Sequence, residues 1–185
     1  MSAAHAAHVD PANRTVALTI AVLALVLAFA ETLGKASQTS ALTHHIEASN
    51  LWSFFQAKSI RQTTIRTAAE EMEAGYGQKA PEAVKRQIES WKKTAERYQS
   101  EPDTNEGRKE LMARAKQSEA KRDRAMSAYH QYEVASAAVQ IAIVLASAEI
   151  ITGVAALLWL AYGLGAVGIV FSLIGFFSPT AVHLF

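Results

Sequence analysis

Hydrophobic residues are concentrated at the two ends of the chain, and polar residues fill the middle. From residue 15 to residue 30 none is charged, and after residue 133 the only Asp, Glu, Lys, Arg or His residues are Glu149 and His183. A helix of about 20 apolar residues crosses the hydrocarbon core of a bilayer. The pattern predicts three transmembrane helices, at 14–34, 134–152 and 157–177. The turn signal Thr152-Gly153 separates the last two.

The polar middle, residues 35–133, carries 17 of the 18 Lys and Arg residues and 14 of the 17 Asp and Glu residues. No Pro or Gly interrupts it between Gly34 and Gly75, and apolar residues recur further on at the three- and four-residue spacing of packed helices. We expect helices at about 35–74, 82–100 and 104–133. The last of them should be capped at its start by Asp103 with Glu106.

The first apolar helix leaves the membrane and the last polar helix returns to it, so the polar middle should fold as one long hairpin. The predicted fold class is an all-α membrane protein: three transmembrane helices with a long helical-hairpin, coiled-coil-like soluble stalk between the first and the second. Phe54 and Phe55 would then lie at the height of Leu111 and Met112 and pack against them. Residues 1–13 are predicted to be a mobile N-terminal tail, and 178–185 a C-terminal tail.

The first apolar segment also has a second interpretation. Arg14, the apolar run and the sequence Ala28-Phe29-Ala30 fit a cleavable signal peptide ending near residue 30. The run is longer than the hydrophobic region of most signal peptides, which favours a retained helix. Cleavage remains the alternative.

Composition argues against several classes of function. With 18 basic and 17 acidic residues, the chain has no overall basic field, which argues against a general nucleic-acid binder. The absence of cysteine excludes disulfides, thiolate catalysis and Cys-ligated metal sites.

One segment carries a recognisable motif. Residues 51–62 read Leu-Trp-Ser-Phe-Phe-Gln-Ala-Lys-Ser-Ile-Arg-Gln, after an apolar N-terminal helix and before a paired apolar C-terminus. In this motif and order the chain resembles a bacterial membrane-protein family catalogued as domain of unknown function 4337, from about residue 14 to residue 177. The resemblance implies three transmembrane helices, a coiled-coil-like middle and no assigned activity, and it provides no catalytic residue to transfer.

Small residues recur in all three apolar segments. Residues 163–168 match the G-x-G-x-x-G dinucleotide pattern, but no strand is predicted before them and no acidic residue follows them. Close packing of helices, within one chain or between chains, is the better interpretation. The stripes are Ala161, Gly165, Gly168, Ser172 and Gly175; Ala17, Ala21, Ala24 and Ala28; and Ala135, Ala138, Ala142 and Ala146.

Catalytic and metal-binding constellations are not evident. His44, His45 and Glu47 could supply two or three metal ligands, but no second His and carboxylate pair accompanies them, and a solvated helix face is favoured. No catalytic triad, phosphate loop or pair of carboxylates in a cleft is visible. We expect no enzymatic activity, no cofactor and no metal.

Basic and aromatic residues alternate in the motif segment. Such a mixture can bind single-stranded nucleic acid, although packing in the core of the stalk is favoured and a surface for a protein partner is the main alternative. We expect no nucleic-acid partner. The candidate residues are Trp52, Phe54, Phe55, Gln56, Lys58 and Arg61.

Glu149 lies well inside the last two apolar segments, where a charge is costly unless it is paired or functional. Arg14 should lie toward the same, stalk-distal face of the membrane, about four residues away in depth, which its long side chain can bridge. We predict a structural pair between Arg14 and Glu149. A role in proton or ion transport is the alternative.

Charge also predicts orientation. Five basic residues precede the second transmembrane helix within residues 114–133, whereas residues 152–156 contain none, so the positive-inside rule places the stalk in the cytoplasm. We expect a multi-pass protein of the bacterial inner membrane. Its predicted role is a non-enzymatic scaffold or assembly factor that binds itself or a protein partner through the stalk and the small-residue transmembrane faces. A proton- or ion-linked membrane component that uses Glu149 is the alternative.

Overall fold

The structure, a computed structural model, describes residues 11–182. Its helices are α1 (Pro11–Tyr76), α2 (Glu82–Gln99), α3 (Arg108–Thr152) and α4 (Ala155–Phe177), and a single 3₁₀ turn, Gly77–Lys79, follows α1. No strand occurs in this part of the chain. The all-α class is therefore as predicted. Residues 1–10 of the predicted tail and residues 183–185 lie outside the described part, and α1 already includes Pro11.

In two places, adjacent predicted helices form one continuous helix in the structure. α1 runs for 66 residues and includes both 14–34 and 35–74, because Gly34 is the only Gly or Pro between Pro11 and Gly75. α3 runs for 45 residues from the polar segment into the apolar one without a break. α2 and α4 begin and end within two residues of the predicted positions. Gly153, at φ +69°, makes the turn between α3 and α4.

The predicted start of α3 is wrong. The helix begins at Arg108 and not at residue 104, so Asp103 and Glu106 do not cap it. Glu110 instead ties the preceding loop to the first turn: its carboxylate accepts hydrogen bonds from the Ser100 hydroxyl, at 2.7 Å, and from the Glu101 backbone N–H, at 3.1 Å. These two bonds hold the loop between α2 and α3 against the first turn of α3.

The chain divides into two compact units. In the described part, the apolar unit comprises residues 11–41 and 123–182, and the polar unit comprises residues 42–122. The core of the apolar unit is built from one face each of α1, α3 and α4. Its buried members are Val16, Leu23, Val139, Ala142, Ala146 and Ala161.

Small residues allow α4 to approach its neighbours closely. A Cβ atom added at Gly165 would lie 2.7 Å from Leu23 Cδ2, and one added at Gly175 would lie 3.1 Å from Tyr132 Cζ. At Gly168 an added Cβ would collide with a Val139 methyl group. The small residues of α3 and α4 therefore pack against other helices within the chain, as small residues do in membrane bundles.

The corresponding stripe on α1 does not pack within the chain. Ala17, Ala21, Ala24 and Ala28 are all exposed, so of the two predicted alternatives, packing within one chain does not hold for this stripe, and packing between chains stays a prediction. The reason is that Leu23, and not an alanine, fills the space beside Gly165. A large side chain opposite a glycine fixes which face of α1 turns inward.

Three helices, α1, α3 and α4, contain segments that are long and apolar enough to cross a membrane. Large apolar side chains on these segments point outward, which is the arrangement expected of a protein surrounded by lipid. The most exposed include Leu18, Phe29, Val144, Ile151, Trp159 and Phe177. The chain therefore has the character of a multi-span membrane protein, as predicted.

The polar unit is held together along one face of α1. Buried and half-buried residues recur there at alternating spacings of three and four, and they pack on α2 and on the first turns of α3. Leu51, Leu111 and Ala115 are buried together, with Trp52 and Phe55 packed against them. The residues of this inner face are Ala48, Leu51, Phe55, Lys58, Gln62, Ile65 and Ala69.

Candidate functional site

Lys58 is the most buried charged residue of the polar unit, with 6% of its surface exposed. Its Nζ atom lies 3.4 Å from Glu101 Oε2, 5.2 Å from the centre of the Tyr98 ring and 5.5 Å from the centre of the Phe54 ring. A buried ammonium needs an opposite charge and polarisable neighbours, and these three groups supply both. Lys58 thereby joins α1 to α2 and to the loop that follows α2.

Trp52 and Phe55 form the neighbouring part of the cluster. Their rings meet edge to face with centroids 5.4 Å apart, and the Trp52 indole N–H donates a 2.8 Å hydrogen bond to Glu119 Oε1 on α3. The Arg108 guanidinium lies over the Phe55 ring, 5.1 Å from its centre. The two rings pack on each other, the Phe55 ring packs under Arg108, and the Trp52 N–H bonds to Glu119. These contacts hold α1 against α3.

Gln62 completes the cluster at the level of α2. Its amide nitrogen donates a 2.8 Å hydrogen bond to the Ala95 carbonyl oxygen, and its amide oxygen accepts a hydrogen bond from Arg108. Arg108 also donates to Gln99 Oε1 at 3.2 Å. The motif segment thus places a lysine, two aromatic rings and a glutamine on the inner face of α1, where each contacts another helix or the loop after α2.

The sequence-predicted site residues divide into two groups. Trp52, Phe55 and Lys58 point into the polar unit, as the packing interpretation predicts, whereas Gln56 and Arg61 are exposed. The expected packing of both phenylalanines against the start of α3 is only half right, because Phe54 is 37% exposed and contacts Lys58. Met112 is likewise exposed, at 36%, while Leu111 is buried.

Tyr98, Glu101, Arg108 and Glu119 belong to the cluster but were not identified from the sequence. Each lies more than 35 residues from the motif segment, and only the antiparallel pairing of α1 with α2 and α3 brings it there. The one available signal was the predicted hairpin itself. It placed residue 111 opposite residue 55, from which the position of Arg108 one turn away follows.

An open groove of about 500 Å³ runs between α1 and α2 beside this cluster. Four of its five charged side chains form two ion pairs: Arg66 Nε lies 3.0 Å from Glu70 Oε1, and Lys92 Nζ lies 2.7 Å from Glu73 Oε2. The fifth is Glu96. Exposed pairs of this kind contribute little energy and offer no concentrated field to a ligand.

Two carboxyl groups of the polar unit have lowered pKa values. The hydrogen bond from Ser100 lowers the pKa of Glu110, with the Glu101 N–H acting in the same direction. The hydrogen bond with His44 lowers the pKa of Glu47, and Ser118 adds to the effect. Both shifts arise because the hydrogen bonds favour the ionised carboxylate. The His44 Nδ1–Glu47 Oε2 distance is 3.4 Å, and the described residues contain no group of three potential metal ligands.

Glu149 does not form the predicted pair. Its Oε2 atom is buried and has no hydrogen-bond partner among the described residues, and no ion pair joins it to Arg14, which is exposed. Similar depth along the membrane normal does not bring two side chains together unless the faces of their helices that carry them also point toward each other. The residues of α1 that turn inward nearest to Arg14 are Val16 and Ile20.

Gln131 is a buried polar residue of the apolar unit that the sequence analysis missed. It is 1% exposed, and its amide nitrogen donates hydrogen bonds to the carbonyl oxygens of Val182, at 2.9 Å, and Pro179, at 3.4 Å. Gln131 thus anchors the segment after α4. Glycines 163, 165 and 168, which matched the dinucleotide pattern, lie inside α4 with no strand before them, so they do not form a phosphate-binding turn.

Comparison with known proteins agrees with this architecture. No curated protein and no solved structure matches the chain. A family model described as "Domain of unknown function (DUF4337)" matches residues 12–178, which include all four helices almost completely. The chain therefore belongs to the DUF4337 family.

Proposed function

We propose that this membrane protein is a non-enzymatic scaffold or assembly factor that acts through protein–protein contacts of its polar unit. The observation that carries the proposal is a set of aliphatic side chains exposed on α1 within that unit. Leu42, Ile46 and Ile60 are 59%, 52% and 68% exposed. These residues share one face of α1, and we interpret that face as a surface for a protein partner.

The use of the inner face supports the same proposal. Lys58, Arg108 and Gln62, which carry the groups that could take part in chemistry, are engaged in contacts between helices. Their arrangement stabilises a rigid helical unit and leaves the outer face of α1 available for a partner. A rigid unit with an available face is suited to binding proteins.

We further propose that the polar unit is a coiled-coil-like stalk on the cytoplasmic side of a bacterial inner membrane. The support is the group of basic residues within residues 114–133 and the absence of charge between residues 152 and 156. A reporter fused at Gly75 tests the side. A fluorescent protein fused there should fluoresce, whereas activity of a fused alkaline phosphatase would place the polar unit on the opposite side of the membrane.

The experiment that tests the scaffold role is affinity isolation of the full-length chain from native membranes after brief chemical cross-linking. We expect adducts of defined mass that contain either several copies of the chain or one recurrent protein partner. A chain that stays uncross-linked at every reagent concentration, beside a control membrane complex that is captured, would contradict the proposal.

A second candidate function is a proton- or ion-linked membrane component. The observation in its favour is the buried Glu149 oxygen with no partner, since unpaired ionisable groups inside a membrane often lie on transport paths. In this case, purified protein in liposomes should carry a proton or cation flux that Glu149→Gln abolishes. A flux equal to that of empty liposomes would reject this alternative.

A further inference from the structure

The outer face of α1 in the polar unit has the spacing of a helix-pairing surface. Exposed residues at positions 42, 46, 49, 53, 56, 60, 63 and 67 alternate in steps of four and three, and we name these eight positions the outer seam. None of them is charged: three are Leu or Ile and five are Ser, Gln or Thr. A seam with this period can contact a supercoiled partner helix along its whole length.

The identities of the three aliphatic residues specify the kind of partner. In the heptad set by this spacing, Ile46 and Ile60 occupy the a position and Leu42 occupies the d position. β-Branched residues at a with Leu at d favour parallel two-stranded pairing. The three aliphatic positions therefore favour a parallel dimer, and the other five positions of the outer seam are small or uncharged polar residues.

The surface around Ile60 has a matching shape. A shallow depression there includes Ile60, Thr63, Thr64 and Thr67, which are spaced at i, i+3, i+4 and i+7. Four residues at these spacings form the hole that receives one side chain of a facing helix. In a parallel in-register pair, the side chain that enters this hole is Thr63 of the facing helix, which is small enough to fit.

We propose that the outer seam pairs in parallel with the outer seam of a second copy of this chain. This inference rests on the proposed scaffold function and names its partner. Two copies inserted in the same membrane present identical residues at the same height and in the same direction. Because the seam carries no charge, and the nearby Arg66 is engaged by Glu70 at 3.0 Å, like residues meet without repulsion.

The size of the seam indicates that the membrane is part of the mechanism. A seam of 26 residues is about 39 Å long. At a contact width of about 10 Å it buries on the order of 800 Å² in total, half of what a standard stable interface buries. Such a pair is weak between free molecules. Confinement of both copies to one bilayer raises their effective concentration and favours pairing.

Cysteine cross-linking of the full-length chain in native membranes tests the pairing, because the natural sequence has no cysteine. Ser53→Cys places a thiol at an a position of the seam, and Ser90→Cys places one at an exposed serine of α2 as the matched control. Under mild oxidation, Ser53→Cys should form disulfide-linked dimers more than about fivefold faster than Ser90→Cys. Equal rates, or no dimer from Ser53→Cys, would overturn the proposal.

A charge in the seam should separate the two copies without unfolding either. Ile60→Asp, added to Ser53→Cys, should lower the dimer yield by about fivefold or more, since like charges would meet at a core position. The control Ser90→Asp should leave the yield unchanged, and helical circular dichroism should be the same in both. If Ile60→Asp leaves the yield unchanged, the seam is not the interface. If Ser53→Cys does not cross-link but the membrane isolation captures another protein, the scaffold function stands and self-pairing alone fails.

Discussion

At the scale of single residues, two adjacent residues of the same type can lie in opposite environments. Phe54 and Phe55 are adjacent, yet Phe55 lies between Trp52 and Arg108 while Phe54 is 37% exposed. The difference arises because adjacent residues on a helix point about 100° apart, and the inner face of α1 is narrow. Single substitutions can therefore distinguish the packed phenylalanine from the exposed one.

The first prediction uses this pair of phenylalanines. Phe55→Ala should lower the free energy of unfolding of the polar unit by about 2–3 kcal/mol, because it leaves a cavity and removes the ring contacts of Trp52 and Arg108. Phe54→Ala should cost less than about 1 kcal/mol, since the Phe54 ring is 37% exposed and its described ring contact is the one with Lys58. Chemical unfolding of the detergent-solubilised full-length chain measures both. Equal costs would contradict the described packing.

The second prediction concerns Glu149. Because Oε2 is buried without a partner, Glu149→Leu should leave the midpoint of thermal unfolding unchanged or raise it, since the substitution removes an unsatisfied polar atom from an apolar site. Arg14→Ala should have no effect on the midpoint, because Arg14 is exposed and unpaired with Glu149. A clear drop in both variants, smaller in the double variant than the sum of the singles, would restore the predicted ion pair.

At the scale of elements, hydropathy and the absence of Pro and Gly account for most of the fold. They predict α2, α4 and the turn at Gly153. They do not predict the start of α3, because Glu110 satisfies polar groups of residues 100 and 101 that lie outside its helix. They also do not predict that the alanines of α1 face outward, because Leu23 and Gly165 decide that face through contact between helices.

The third prediction tests the loop before α3 by pH. The pKa of Glu110 is lowered in the folded chain, so its contribution to stability is present above the pKa of an unfolded carboxyl, about 4.3, and is lost as pH falls through the lower folded value. The unfolding temperature of the polar unit should fall on acidification below about pH 4.5. Glu110→Gln should reduce this loss, whereas Glu106→Gln, in the same loop, should not. An identical pH profile in both variants would contradict the role of Glu110.

The fourth prediction tests the close approach of α3 and α4. Gly168→Ala should lower the stability of the apolar unit by about 1–3 kcal/mol, since the added methyl group meets Val139 and the Ala135 carbonyl oxygen. Gly163→Ala is the matched control in the same helix, because nothing lies within 4 Å of its added Cβ. It should be neutral or stabilise by up to about 1 kcal/mol. Unfolding in detergent that gives both variants the same midpoint would contradict this packing.

At the scale of the whole molecule, three features of the described residues stand out. Three helices contain segments that are long and apolar enough to cross a membrane. Trp52, Phe55 and Lys58 stabilise the polar unit from within, and aliphatic side chains remain exposed on α1. The inner face of that unit was largely predictable, because its residues recur along α1 at spacings of three and four. The outer face was not, because its residues become distinctive only when the structure shows them uncovered by any helix between residues 11 and 182.

The measurement that tests the scaffold role most directly is photo-cross-linking from the outer face of α1 in native membranes. A photoreactive amino acid replaces Ile60 in one full-length variant and Lys93, an exposed residue of α2, in the control. We predict a discrete protein adduct from position 60 on illumination, either a dimer of this chain or one partner, and much less from position 93. Position 60 yielding no protein adduct, or only the same diffuse products as position 93, would contradict a function based on protein contacts of this face.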